Sequence, residues 1–293
     1  MIAIARISKA AVLGAAAFLF AAAGPLEIPA NWTAPVAPFV VTDEIAYVGT
    51  EDLASYLIDT GSGLILIDAP MAENAALIEQ NIAALGHTLS DVKIILITHA
   101  HFDHVGGVAK LRADTGARLL VSARDGALMA AGGKGDFHWG DALAYPPVAP
   151  DGEVIDGQKI TLGAVTLTAH LTPGHTKGCT SWTMTAHVKG KPYNLLLTCS
   201  TSVPGYNLLN EPQYPNIIAD YRASFKTLKA LPCDILLAPH GSFIGLTEKR
   251  AALKANPDTN PFVDPALCKR HFAYFEDAFN NELAKELAAK PAP

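Results

Sequence analysis

The sequence contains little charge and no cluster of basic residues. Charged residues make up only 17% of the 293 residues, and 28 acidic against 22 basic residues give a formal net charge of −6. A protein that follows nucleic-acid phosphates needs a basic face, so nucleic acid is not expected as a partner. Hydrophobic residues make up 50% of the chain, which excludes disorder and provides a substantial core.

Beyond the first two dozen residues, no segment is apolar enough to span a membrane. Arg6 and Lys9 precede an apolar stretch from Ala10 to Ala23. About 14 apolar residues fall short of the roughly 20 that a spanning helix needs. A basic head and a short apolar middle that ends in small residues are typical of a cleavable secretory signal. We expect residues 1–23 to be that signal and residues 24–293 to be one periplasmic domain that acts as a monomer, free of the membrane.

The chain also has few cysteines, and its predicted export makes disulfides the expected state of all four. Four cysteines allow three pairings. Cys179 begins one strand-like run and Cys199 ends another, so antiparallel neighbours would bring these two within bridging distance. Cys233 precedes a short apolar strand, and Cys268 lies near the start of a C-terminal helix. We therefore favour the pairs Cys179–Cys199 and Cys233–Cys268.

Short apolar runs bounded by turn residues predict strands in both halves of the chain, with helices after them. The predicted strands are 45–49, 54–58, 64–67, 93–98, 160–161, 165–171, 180–186, 195–198 and 235–238. Helical spacing predicts helices at 72–85, before Thr115, at 217–231 and at 265–289. This pattern predicts an α/β fold, a four-layer αββα sandwich of two mixed β-sheets with helices on the outer faces. The Gly-rich, aromatic segment 131–147 is expected to be a long loop beside a site.

One short segment concentrates groups that bind metals. His99, His101, Asp103 and His104 follow directly on a predicted buried strand. Residues two apart on an extended chain point to the same side, so His99 and His101 can share one metal ion. Asp103 and His104 follow where a helix begins and would face a second position. Imidazole nitrogens together with a carboxylate suit zinc.

Two further histidines complete the predicted ligand set. His175 and His240 each lie on a turn with proline and glycine that follows an apolar strand, and strand ends in layered sheet proteins converge on one edge. A single histidine is ordinarily a hydrogen-bonded core or surface residue. Clustered histidine and aspartate in an exported chain indicate a metal site instead.

These residues resemble the signature of the metallo-β-lactamase superfamily, H-x-H-x-D-H. Within it the chain resembles the third subclass of di-zinc β-lactamases, because His104 remains histidine. The segments that carry this second resemblance are Ser200-Thr-Ser-Val-Pro-Gly-Tyr206, Tyr214-Pro and Asp220-Tyr-Arg222.

The resemblance implies a role for each matching residue. One zinc ion would be held by His99, His101 and His175, and the other by Asp103, His104 and His240. Asp68 matches an acid that supports the ligands, Ser200 and Ser202 match serines near the second zinc ion, and Tyr206 matches a tyrosine that assists an oxyanion. Members of this family also contain both of the favoured disulfides.

The implied activity is hydrolysis of the β-lactam amide by a zinc-bound hydroxide that Asp103 orients. Ser202 and Lys177 are candidates for holding the substrate carboxylate, although Lys177 can equally be a solvated loop charge. Phe137 and Trp139 would form an apolar wall over the substrate, or would only fix their loop.

One departure bears on the substrate. Thioester and many phosphodiester hydrolases of this superfamily carry an aspartate that bridges both metals, yet no acid occurs between Asn194 and Asn210, and Cys199 stands where an acid is usual beside Ser200. This favours a β-lactam over a thioester. The alternatives are a lactonase or thioesterase on the same scaffold, or a periplasmic zinc-binding protein without turnover. Three protein ligands per metal argue against storage, which prefers closed sites.

Overall fold

A computed structural model describes residues 27–289, so the predicted signal segment lies outside the described residues. Its first sheet has seven strands in chain order. Strands β1 to β4 form an antiparallel meander, and β4 to β7 pair in parallel. The strands are β1 (Phe39–Val40), β2 (Ile45–Tyr47), β3 (Tyr56–Asp59), β4 (Leu64–Ile67), β5 (Val92–Leu96), β6 (Arg118–Ser122) and β7 (Gly152–Val154).

The second sheet has five strands, of which the last in sequence lies at one edge. They are β8 (Lys159–Leu162), β9 (Val165–Leu171), β10 (Thr180–Val188), β11 (Lys191–Leu197) and β12 (Ile235–Leu237). Their spatial order is β12-β11-β10-β9-β8. Only the β11–β12 pair is parallel, because a helix connects these two strands.

Helices cover the sheets. They are α1 (Ala75–Ala84), α2 (Phe102–Val105), α3 (Val108–Thr115), α4 (Ala123–Ala130), α5 (Ile217–Ala230), α6 (Leu246–Ala255) and α7 (Pro265–Ala289). Leu96 and Trp182 belong to a core cluster that draws on both sheets, whereas Ile78 and Leu111 join helices α1 and α3 to the first sheet. The predicted α/β fold of two mixed sheets with helices is confirmed.

Sequence reasoning missed five of these strands and helices, namely β1, β6, α4, β7 and α6. Helix α4 begins at Ala123, directly after the last residue of β6, so no turn residue marks the boundary. In α6 only Leu246 is buried, so this helix carries no apolar periodicity.

Both favoured disulfides are present. Cys179–Cys199 joins the start of β10 to the end of β11, with the two Cα atoms 5.8 Å apart. Cys233–Cys268 ties the segment before β12 to α7, with a Cα separation of 6.2 Å. Between residues 27 and 289, none of the helices combines the length and the apolar character that crossing a membrane requires.

His271 on α7 is buried among aromatic rings and gives the fold a predictable pH dependence. Its ring lies 4.7 Å from that of Phe275 and 5.1 Å from that of Phe272, and it is 4% exposed. Burial lowers the pKa of His271 from its ordinary value of 6.5 to about 4. Because the unfolded chain binds this proton more readily, we expect the free energy of unfolding to fall by about 3 kcal/mol as the pH drops from 6.5 to 4.

Urea unfolding of wild type and His271→Leu at several pH values measures this contribution. The contributions of all other titrating groups appear in both proteins, so the difference between them isolates His271. The variant should lose about 3 kcal/mol less than wild type over this interval. Parallel stability curves for the two proteins would contradict the expectation.

Candidate metal centre

The six predicted ligands follow the ends of strands that the two sheets bring to one edge. His99 to His104 follow β5 and enter α2, His175 follows β9 and His240 follows β12. The turn before His175 requires glycine at position 174. Gly174 has φ +147°, and a Cβ there would lie 2.8 Å from a ring carbon of Tyr221.

The first group consists of His99, His101 and His175, all buried. One nitrogen from each ring lies within 4.8 Å of the others. Nδ1 of His101 is 3.1 Å from Nε2 of His175, and Nε2 of His99 is buried without a hydrogen-bond partner. Nδ1 of His175 lies 2.9 Å from the carbonyl oxygen of Ser202, which can only accept, so this nitrogen carries the proton. Its Nε2 lone pair is therefore directed into the group.

The second group consists of Asp103, His104 and His240. Nε2 of His104 lies 3.2 Å from Nε2 of His240 and 3.2 Å from Oδ2 of Asp103. The ring centroids of His99 and His104 are only 4.3 Å apart, so the two groups adjoin. Together they form a candidate dinuclear metal centre.

The electrostatics of the first group and of Asp103 suit metal binding. Burial and the neighbouring imidazoles hold the pKa of His99 and of His175 well below the ordinary value, so both rings are neutral. Burial alone would raise the pKa of Asp103, but His104 and His240 hold this pKa below its usual range. Neutral imidazoles and an ionised carboxylate are the forms that bind a metal. Nε2 of His99 is buried without a hydrogen-bond partner, and a metal ion would accept its lone pair. The donor set therefore fits two divalent metal ions.

Asp68 lies beneath the second group, at the end of β4 where the resemblance places a supporting acid. Its carboxylate accepts hydrogen bonds from the backbone N–H of Thr98 at 2.6 Å and from the hydroxyl of Thr98 at 2.7 Å. Oδ2 of Asp68 is 4.0 Å from Nδ1 of His104. Burial raises the pKa of Asp68 to about 7, against the opposing effect of the bonds from Thr98.

Two acids that sequence reasoning missed also hold this centre. Oδ2 of Asp52 is 3.1 Å from Nδ1 of His240, while its Oδ1 accepts the backbone N–H of Ser242 at 2.7 Å. Burial opposes ionisation of Asp52, but the bond to His240 holds its pKa at about 2. Asp125 is buried and accepts from the N–H of Ala100 at 2.9 Å and from the hydroxyl of Thr176 at 2.8 Å.

The predicted substrate residues after β11 lie against His175. The hydroxyls of Ser200 and Ser202 are 3.0 Å apart, and that of Ser202 is 3.4 Å from Nδ1 of His175. Tyr206 is buried, and its hydroxyl donates to the carbonyl oxygen of His175 at 2.8 Å. To assist an oxyanion, the hydroxyl of Tyr206 would have to give up its hydrogen bond to His175 and donate to the oxyanion instead.

The loop residues proposed for the apolar wall differ in exposure. Phe137 is 7% exposed and packs at 4.9 Å from Tyr206 and 5.1 Å from Tyr214, so it fixes the loop. The ammonium of Lys177 lies 5.9 Å from the ring centroid of Phe137 and 5.7 Å from that of Tyr214, which makes it more than a solvated charge. Trp139 is half-buried, as are His138 and Tyr145 in the same loop, so of the two proposed wall residues Trp139 is the more accessible.

Trp32 is a further residue at the centre that sequence reasoning missed. Its ring lies 5.6 Å from that of His240 and 6.1 Å from that of Phe102. It belongs to a single 3₁₀ turn, Ala30–Trp32, whose sequence shows no periodic signal.

Comparisons with known proteins agree with this geometry. The family model described as "Metallo-beta-lactamase superfamily" matches residues 49–240. Among solved structures, a metallo-β-lactamase of Cronobacter sakazakii with a HARLDQ motif is 45% identical, with a TM-score of 0.84 over 88% of this chain and 98% of that one. BJP-1, a subclass B3 metallo-β-lactamase of Bradyrhizobium japonicum, is 42% identical, with a TM-score of 0.84 over 89% of this chain and 98% of that one.

Curated relatives carry a different name. A hydroxyacylglutathione hydrolase of Fuscovulum blasticum is 33% identical over 129 residues, which are 44% of this chain and 41% of the relative. The chain thus spans less than half of that relative's length. A hydroxyacylglutathione hydrolase of Acidiphilium cryptum is 28% identical over 242 residues, which are 82% of this chain and 85% of the relative.

Proposed function

Because the chain belongs to the metallo-β-lactamase superfamily, we propose that it is a zinc-dependent hydrolase that opens the amide of β-lactam antibiotics, including penicillins, cephalosporins and carbapenems. Support for the substrate comes from two solved structures named as metallo-β-lactamases. They are 42–45% identical to this chain, and the match covers 98% of each of their chains. The observation that carries the proposal is the pairing of an all-histidine group with an adjoining aspartate–histidine group.

Each side chain has a defined task in this proposal. Zinc ions held by the two groups would supply a Lewis acid and a water of lowered pKa. Asp103 offers its carboxylate, ionised under the influence of His104 and His240, to orient that water. The hydroxyls of Ser200 and Ser202, 3.0 Å apart beside Nδ1 of His175, are the candidate donors for the substrate carboxylate, and Lys177 is the candidate positive charge. Tyr206 is the candidate donor to the developing oxyanion.

The end of β11 favours a lactam over a thioester. No acidic residue occurs from Asn194 to Asn210, so this segment offers no carboxylate to bridge the two metal positions. Cys199, the residue beside Ser200, is committed to its disulfide with Cys179. Two curated relatives are named hydroxyacylglutathione hydrolases, so a thioester of glutathione is the second candidate substrate.

A turnover assay on purified, zinc-loaded protein separates the candidates. The panel contains a penicillin, a carbapenem, a hydroxyacyl thioester of glutathione and a cyclic ester, each with and without a chelator. Lactam hydrolysis that the chelator abolishes and added zinc restores is the expected result. Faster thioester or cyclic-ester hydrolysis at equal zinc content would assign the alternative activity. Full zinc loading without any turnover would indicate a binding protein.

We also propose that the protein acts in the periplasm, as a monomer on a small-molecule substrate. Two disulfides and the basic, then apolar, start of the sequence support export. Cell fractionation together with the mass of the mature protein tests this, because cleavage after Ala23 fixes the expected N-terminus.

A further inference from the structure

The ring of His101 has a second nitrogen that the proposed metal does not use. Its Nδ1 faces His175, so Nε2 lies on the outer side of the ring. This Nε2 is buried and makes no hydrogen bond, and Oδ2 of Asp136 lies 3.6 Å from it. The side chains of His101 and Asp136 are only 8% and 6% exposed, so water screens this approach little.

The other carboxylate oxygen of Asp136 organises the loop beside the centre. Oδ1 accepts the backbone N–H of His138 at 2.9 Å and that of Trp139 at 2.8 Å. The backbone of Asp136 also pairs with that of Gly140 in both directions, at 3.2 and 3.0 Å. One carboxylate therefore holds the loop with one oxygen and faces a candidate metal ligand with the other.

We propose that Asp136 is a positioning residue that joins the loop of residues 131–147 to the first metal position through the ring of His101. This inference rests on the proposed function. A ligating histidine normally donates its other ring N–H to an acceptor that fixes the ring's orientation, and losing that acceptor weakens metal binding. Oδ2 of Asp136, 3.6 Å from Nε2 of His101, is placed to be that acceptor.

The connection works in both directions. If metal binding orients His101 and thereby Asp136, it also orders the loop that Asp136 holds, because a coupling between two sites is reciprocal. That loop carries Trp139, the accessible aromatic of the proposed substrate wall. Metal content and the shape of the substrate wall therefore change together.

The test compares Asp136→Asn with Asp141→Asn. Asparagine at position 136 can still accept the N–H groups of His138 and Trp139, but it loses the charge that faces His101. Asp141 is the matched control, because it is exposed and its Oδ1 accepts the N–H of Gly135 at 2.9 Å within the same loop. Competition with a chelator measures zinc affinity, and hydrogen exchange of peptides from 131–147 measures loop order without and with saturating zinc.

We expect Asp136→Asn to bind one of its two zinc ions about 10–100-fold more weakly. Zinc should slow exchange in the loop of wild type and Asp141→Asn, and much less in Asp136→Asn even at saturation. Affinities and exchange responses that match those of Asp141→Asn would overturn the proposal. The proposed function fails separately, if the wild-type protein binds no zinc at all.

Discussion

Replacing His175 with alanine is expected to remove one zinc ion and nearly all turnover while the fold persists. Nε2 of His175 lies 3.1 Å from Nδ1 of His101, and no other described side chain in the first group can take its place. A metal ion contributes several kcal/mol to transition-state stabilisation, so kcat/KM should fall by about a thousandfold or more. Elemental analysis and steady-state kinetics on a β-lactam measure the two effects.

The fold should persist because the turn around residue 175 does not depend on the imidazole. Tyr206 donates to the backbone carbonyl of residue 175, which alanine retains, and Thr176 bonds to the buried carboxylate of Asp125. The circular dichroism spectrum and the melting temperature should therefore stay close to those of wild type.

His170→Ala is the matched control for this experiment. His170 lies on β9, the strand that leads to His175, and its ring is half-buried with a 2.8 Å hydrogen bond to the hydroxyl of Thr183. The control variant loses a comparable ring and a comparable bond away from the centre, so it should keep both zinc ions and its activity. A His175→Ala protein with two zinc ions and wild-type turnover would refute the ligand assignment.

Four of the six residues of the metal groups could be predicted from the sequence because they lie close together along the chain. His99 to His104 follow one strand, and the change from extended chain to helix at Phe102 separates the first two side chains from the last two. His175 and His240 are far away along the chain, but each follows a strand end, and strand ends were expected to meet. Spacing indicated His99 to His104, positions after predicted strands indicated His175 and His240, and the family resemblance divided the six residues into two groups.

The acids that support the ligands could not be predicted in the same way. Asp52 bonds to His240 across 188 positions of sequence, and Asp136 lies in a loop whose fold depends on several glycines with positive φ. A lone aspartate in a turn has many possible partners, and only the packing of two sheets decides which it meets. Asp68 was predicted because the family resemblance points to it, not because of its spacing.

Two replacements of Asp68, by alanine and by asparagine, are expected to differ in their effect on stability but not in their effect on zinc affinity. Asp68 has φ +61°, a left-handed conformation that asparagine tolerates and alanine does not. In Asp68→Ala both donors of Thr98 lose their acceptor in a buried place, so we expect the free energy of unfolding to fall by about 4 kcal/mol. In Asp68→Asn one acceptor oxygen remains, and the loss should be about 1 kcal/mol.

The two variants should differ in stability, but they should lose affinity for the second zinc ion to the same extent. At a pH above about 7, where Asp68 is ionised, both substitutions remove its negative charge 4.0 Å from Nδ1 of His104, so both should weaken one zinc site by about 10–100-fold. Urea unfolding and chelator competition on the same preparations measure the two effects. Asp59→Asn is the control, since Asp59 is exposed at the end of β3 and caps its turn by accepting the N–H of Gly61.

Comparing Asp68→Ala with Asp68→Asn distinguishes a role of Asp68 in stabilising the fold from a role in zinc binding, which neither variant can do by itself. If Asp68 acted only through the fold, zinc affinity would track stability, and Asp68→Asn would keep nearly wild-type binding. If it acted only through its charge on His104, the two variants would be equally stable, contrary to the left-handed backbone and the two bonds from Thr98. Different stabilities with equally weakened zinc binding require both roles, because the carboxylate that holds Thr98 in place is also the nearest charge to the outer nitrogen of His104.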